Sequence, residues 1–138
     1  MFEYAAKLIC GFQEDQEDMR IAPGFYATTI NIHNPRERRV VFFKKLALTF
    51  PPEEQSPGEV MPIREEDVLE PDQALAVDCV DIRRHLFPNG FPTPYIEGFV
   101  VIQSQASLDV TAVYTVASLD RRHSSIDVEQ IRERVSEG

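Results

Sequence analysis

The stretch Leu108-Asp109-Val110-Thr111-Ala112-Val113-Tyr114-Thr115-Val116 decides the fold class. Leu108, Val110, Ala112, Tyr114 and Val116 share one parity and Asp109, Thr111, Val113 and Thr115 the other. A pleated strand with one face on a core requires this period of two, and Val, Thr and Tyr are the residue types that favour it. Just upstream, Gly98-Phe99-Val100-Val101-Ile102-Gln103-Ser104 is apolar on both parities over four residues. The connection 105–107 is short enough for a hairpin, so the two segments read as antiparallel neighbours, the first covered on both sides.

The same period recurs outward from this pair. Phe25 to His33 sets Tyr26, Thr28, Ile30 and Ile32 against Phe25, Ala27, Thr29 and Asn31, and ends at the turn dipeptide Asn34-Pro35. Arg38 to Phe50 carries Val40, Phe42, Leu46, Leu48 and Phe50 on one parity and Val41, Phe43 and Ala47 on the other. Lys44-Lys45 interrupts it, which predicts a bulge or an edge there. Phe2 to Phe12 and Gln73 to Cys79 complete six strands. Ser125 to Ile131 reads either as a seventh strand or as a short helix opened by Asp127 and Gln130. Helical structure is otherwise expected only at Val80 to Leu86, with Asp78 as N-cap. The expectation is a single-domain, all-β antiparallel sandwich over residues 1–138, immunoglobulin-like or jelly-roll-like, with 118–138 as a peripheral tail.

Composition agrees with one globular domain. The chain has 138 residues, 43% of them hydrophobic and 27% charged, and its net charge is -9. The acid excess argues against nucleic-acid binding, because such surfaces need a positive footprint. The longest apolar run near an end, Leu8 to Phe12, is too short for a membrane span or a signal-peptide core. The expectation is therefore a soluble, cytoplasmic protein without membrane insertion.

Several chemistries lack their motifs: there is no GxSxG elbow, phosphate loop, HExxH or EF-hand spacing. His33, His85 and His123 stand apart in sequence. No catalytic residue, cofactor or metal is assigned, although a site gathered in space, for instance His33 with Asp78 or Asp81, is the enzyme alternative. The acidic run Glu14-Asp15-Gln16-Glu17-Asp18 reads as a solvated loop, with calcium as its functional alternative. Cys10 and Cys79 read first as two small buried strand residues, and second as a disulfide, which needs an oxidising compartment. Arg36, Arg38, Arg39, Lys44 and Lys45, offset by Glu37, give +4 over residues 36–45. That cluster suits an edge strand, an anionic partner, or the acidic loop of a sister subunit.

Two loops remain. Pro51 to Asp72 holds five prolines and eight acids against Arg64 alone, and reads as a long crossover or a functional flap. Phe87-Pro88-Asn89-Gly90-Phe91-Pro92-Thr93-Pro94 is stiff and apolar, and reads as a cap on the sandwich or a contact patch.

The stretches 94–115 and 23–35, with their strand ending in Asn before a turn and the Val101-Ile102-Gln103-Ser104 strand, resemble a group of small bacterial β-sandwich proteins of unassigned function. The chain is also similar in outline to the sensory rhodopsin transducer family, small soluble β-sandwich proteins that form homotetramers. The resemblance implies a non-enzymatic oligomer that binds a protein or small ligand, and it carries over no functional residue.

These readings converge on a non-catalytic binding or assembly protein that self-associates. A lone two-layer sandwich covers one face of each sheet, yet Val40–Phe50 and Phe99–Ile102 are apolar on both. The candidate interface is Val41, Phe43, Phe87, Phe91, Phe99 and Val101. The alternatives are a ligand or signalling module with loops 51–72 and 87–94 as its rim, which would take a protein partner, and the assembled enzyme site above.

Overall fold

Ten strands form one antiparallel sheet in a computed structural model that describes residues 1–18, 20–51 and 53–136. They are β1 (Phe2–Gln13), β2 (Gly24–His33), β3 (Val40–Thr49), β4 (Pro57–Pro62), β5 (Asp67–Leu69), β6 (Ala74–Asp78), β7 (Tyr95–Ser104), β8 (Asp109–Ala117), β9 (Ser124–Gln130) and β10 (Arg134–Val135). The main path runs β4-β3-β7-β1-β2-β8-β9, with β5 beside β3, β6 beside β2 and β10 beside β1. The all-β class expected from the alternation is what the chain adopts. Its two layers are the halves of one sheet, and their inner faces share a single core that includes Tyr4, Leu8, Ile30, Ile32, Phe42, Leu46, Val100, Ile102 and Val110.

The halves join at the end of β1. Residues Phe2 to Gly11 pair with β7, whereas Gly11 to Gln13 pair with β2. At the handover Gly11 has φ +124°, and a Cβ there would lie 2.2 Å from the Pro94 carbonyl oxygen. Only glycine meets both conditions. One residue earlier, Cys10 is bonded to Cys79. The reading of two free thiols is therefore corrected: Cys79 lies at the first turn of the helix, beside Ile9 and Thr28, rather than in a strand interior. In the chain-entropy account, closing a loop of 69 residues stabilises the fold by about 4 kcal/mol.

Helix α1 (Cys79–Leu86) starts as the sequence indicates. Asp81 N–H donates to Asp78 Oδ1 at 2.9 Å, Asp78 N–H donates back to Asp81, and Ile82 plants the helix in the core. The tail resolves as strand, since β9 pairs with β8 from Thr111↔Gln130 to Ala117↔Ser124. Beyond it, Ile131 is buried with its N–H on the Val110 carbonyl, and β10 reaches Phe2 and Glu3. Met19, Pro52 of the acidic stretch, and Glu137 and Gly138 of the tail lie outside the described residues.

The expected bulge at Lys44-Lys45 is absent. Both residues keep register with Ile102 and Val101, and the irregularity falls between Ala47 and Thr49, against β4. Lys44 points inward with Phe42 and Leu46, and its ammonium meets the Asp67 carboxylate of β5 at 2.6 Å, both side chains nearly buried. Removing one partner of such a pair strands a desolvated charge, at a cost of about 3–5 kcal/mol. Lys44→Met is expected to lose stability in that range by urea unfolding, and Lys44→Met with Asp67→Leu to recover most of it.

Candidate functional site

Alternation along β3, β7 and β1 sends one parity into the core and the other onto the outer face of the sheet. Register aligns the outer residues in three rows: Phe43, Gln103 and Glu3; Lys45, Val101 and Ala5; Ala47, Phe99 and Lys7. Beyond β3, Val60 stands opposite Ala47 and Val68 opposite Val41. Phe43 is 41% exposed and Phe99 42%, high for phenylalanine, while Val101 between them is nearly covered. Charges of both signs frame these side chains. Lys7 Nζ lies 5.2 Å from the Phe99 ring centroid and 3.1 Å from Glu97, and Arg134 pairs with Glu3 at the opposite end. The Arg134 hydrogen bond holds the Glu3 carboxyl below the usual carboxylate range.

Four of the six candidate interface residues, Val41, Phe43, Phe99 and Val101, thus share one face. Phe87 and Phe91 do not join them: their rings stack edge to face at 5.4 Å and pack against the core. Sequence reading missed Val60 and Val68 because they fall in a stretch taken for a loop, which in fact holds β4 and β5. The parity of Ala5 and Lys7 was visible, but not that β1 lies beside β7.

The charged segments answer one another within the chain. Arg39 pairs with Glu70, Lys44 with Asp67, and the Arg36 guanidinium donates to the Ser107 carbonyl. The basic cluster thus meets the acidic stretch of its own chain. In the 14–18 run, Arg20 and the Gln13 amide take up the Asp18 carboxylate, and Arg20 holds its pKa at about 2. No group of three His, Cys, Asp or Glu among the described residues could hold a metal ion.

Where the loops meet, a cleft of about 760 Å³ opens between residues 13–20, the end of β3 and residues 92–97. Leu48, Phe50, Pro94, Tyr95 and Ile96 form its apolar wall, and Asp15, Arg20 and Glu54 its polar rim. A smaller polar hollow holds Tyr4, Ser107 and Glu133, where Ser107 and Tyr4 both donate to the Glu133 carboxylate and hold its pKa below the usual range. Tyr4 Oη also accepts from the Leu108 N–H at 2.7 Å, so this cluster ties the tail to β1 and β8.

His33 does not meet Asp78 or Asp81, which cap α1. Its Nδ1 lies 2.9 Å from Asp109 and its Nε2 3.4 Å from Asp72. His85 belongs to α1 and His123 to the β8–β9 turn. No helix among the described residues is long and apolar enough to cross a membrane.

Comparison with known proteins adds the fold alone. No family model and no curated protein matches the chain. The crystal structure of Thermotoga maritima 1070 superposes with a TM-score of 0.51 at 10% identity, covering 94% of this chain and 91% of that one.

The hydrogen bond to Asp109, aided by both carboxylate charges, raises the His33 pKa above 6.5. A raised folded-state value contributes stability that is fully present below 6.5 and fades as pH climbs through the folded value. Thermal melts are expected to drop on going from pH 6 to pH 8, and His33→Gln to flatten that part of the profile.

Proposed function

We propose that the protein is a non-catalytic assembly module that self-associates through the outer face of β3, β7 and β1. The observation that carries this reading is the pair Phe43 and Phe99, 41% and 42% exposed on either side of the nearly covered Val101, with Val41, Ala47 and Val60 beside them on the same sheet face. Two such faces stack about 10 Å apart with interleaved side chains, as sheets do within sandwiches. Lys7 and Glu97 on one border and Glu3 and Arg134 on the other give each copy both signs of charge, which a two-fold contact can match.

The compartment reading changes with the disulfide. A bond between Cys10 and Cys79 persists where the surroundings are oxidising, and we propose such a setting as the alternative to a cytoplasmic one.

A second reading rests on the cleft, where the start of the acidic stretch meets the proline loop. Its volume and apolar wall suit a small ligand. Deleting residues 53–70 would remove β4 and β5 and damage the sheet, so fragment titration followed by NMR is the cleaner probe. Shifts gathered at Leu48, Tyr95 and Ile96 would support the cleft.

Phe43→Asp and Phe99→Asp test the assembly reading. Both side chains lie outside the core, so the variants are expected to fold with little loss of stability. Sedimentation is expected to show a lower mass for each, and an unchanged mass in a folded variant contradicts the proposal.

A further inference from the structure

The cleft where the loops meet combines an apolar wall with a one-signed electrostatic field. It opens at one end of the sheet, where β1 and β3 finish and β7 begins, with Tyr95 opposite Gly11 and Gly98 opposite Leu48. Its apolar wall is held by the sheet. Ile96 is buried and Leu48 and Tyr95 half-buried, and the Phe12 N–H donates to the Pro94 carbonyl at 3.2 Å, which pins the approach to β7 onto the bend of β1. Such a wall takes the body of a small organic molecule, whereas a bare metal ion needs convergent donor atoms in its place.

Charge supplies the other half of the selection. The segments that build the cleft, residues 13–20, 48–54 and 92–97, hold seven acids against Arg20 alone, a balance of -6. Arg20 is itself engaged. It donates to Asp18 at 2.8 Å and reaches Glu53 at 3.4 Å, tying together the two loops that form the rim. The Asp18 side chain is 5% exposed and its pKa is about 2, so it is ionised at neutral pH and relies on Arg20 for its neutralisation. An anionic ligand would have to draw Arg20 away and strand a nearly buried carboxylate, which is strongly unfavourable. A concave site lined by one sign of charge and walled by low-dielectric material concentrates its field, and this field attracts cations. Asp15 and Glu54 present their carboxylates on the exposed rim.

Resting on the reading of this cleft as a small-ligand site, we propose that its ligand is an amphiphilic organic cation. The ligand is an amine whose aromatic or branched aliphatic body lies against Leu48, Tyr95 and Ile96 and whose ammonium group faces Asp15 and Glu54. Neither the wall nor the field alone makes this selection: the wall would accept any apolar body, and the field any cation.

The test titrates the full chain at neutral pH with three probes of similar shape, 2-phenylethylamine, 2-phenylethanol and 3-phenylpropanoate, and reads backbone amide shifts. The amine is expected to perturb Leu48, Tyr95 and Ile96 and to bind about tenfold tighter than the neutral alcohol, with the carboxylate weakest. High salt is expected to narrow the gap between amine and alcohol. Asp15→Asn with Glu54→Gln, two isosteric changes at exposed positions, is expected to keep the fold, leave the alcohol unaffected and bring the amine within about twofold of it. Equal binding of all three probes in the cleft, tightest binding of the carboxylate, or an amine preference that survives in the double variant would overturn the charge selection while leaving the cleft as a ligand site. Absence of shifts at the cleft with every probe would remove the small-ligand reading itself, and this proposal with it.

Discussion

The structure depends on β1 being hydrogen-bonded to β7 along most of its length and to β2 at its end. Its inward residues Tyr4, Ala6, Leu8 and Cys10 form the seam of the core, so each half of the sheet is anchored to the same strand. The bend at Gly11 folds one half over the other, and the Cys10–Cys79 bond fixes α1 beside that bend. Placing β1 between β7 and β2 also determines what faces outward: Ala5 and Lys7 are brought level with Val101 and Phe99, and an apolar surface is assembled from three strands distant in sequence.

Charge plays a different part from the one its totals suggest. The chain is acidic overall, yet two members of its basic cluster pair with the acidic stretch that runs alongside, through Arg39–Glu70 and Lys44–Asp67. The Lys44 pair is the consequential one, because burial makes each charge depend on the other, whereas the exposed pairs contribute little.

Much of the fold was legible because alternation is a direct imprint of the pleat. The segments 2–12, 25–33, 98–104 and 108–116 emerged within a few residues of their ends, and Asp78 marked α1 through its capping chemistry. Short edge strands were not legible: β4 and β5 lie in a proline-rich acidic stretch and have too few inward residues to show a period. β9 was ambiguous because it is exposed on both faces, so no burial pattern disciplines its composition. The disulfide was invisible for another reason, since only the fold brings residues 69 apart in sequence to a Cα separation of 5.6 Å. Of the candidate interface, the strand residues were recoverable by parity. Phe87 and Phe91 were not, because loop aromatics carry no periodic sign of which way they point.

The most direct test of the account is the solution mass of the wild-type chain by light scattering, at low and at high salt and over a range of concentrations. Self-association through an apolar face predicts a stable multiple of the 15.8 kDa chain under both conditions, because burial of phenylalanine and valine is not screened by ions. A monomer at every concentration and salt would contradict it, and would leave Phe43 and Phe99 without a second copy to cover them.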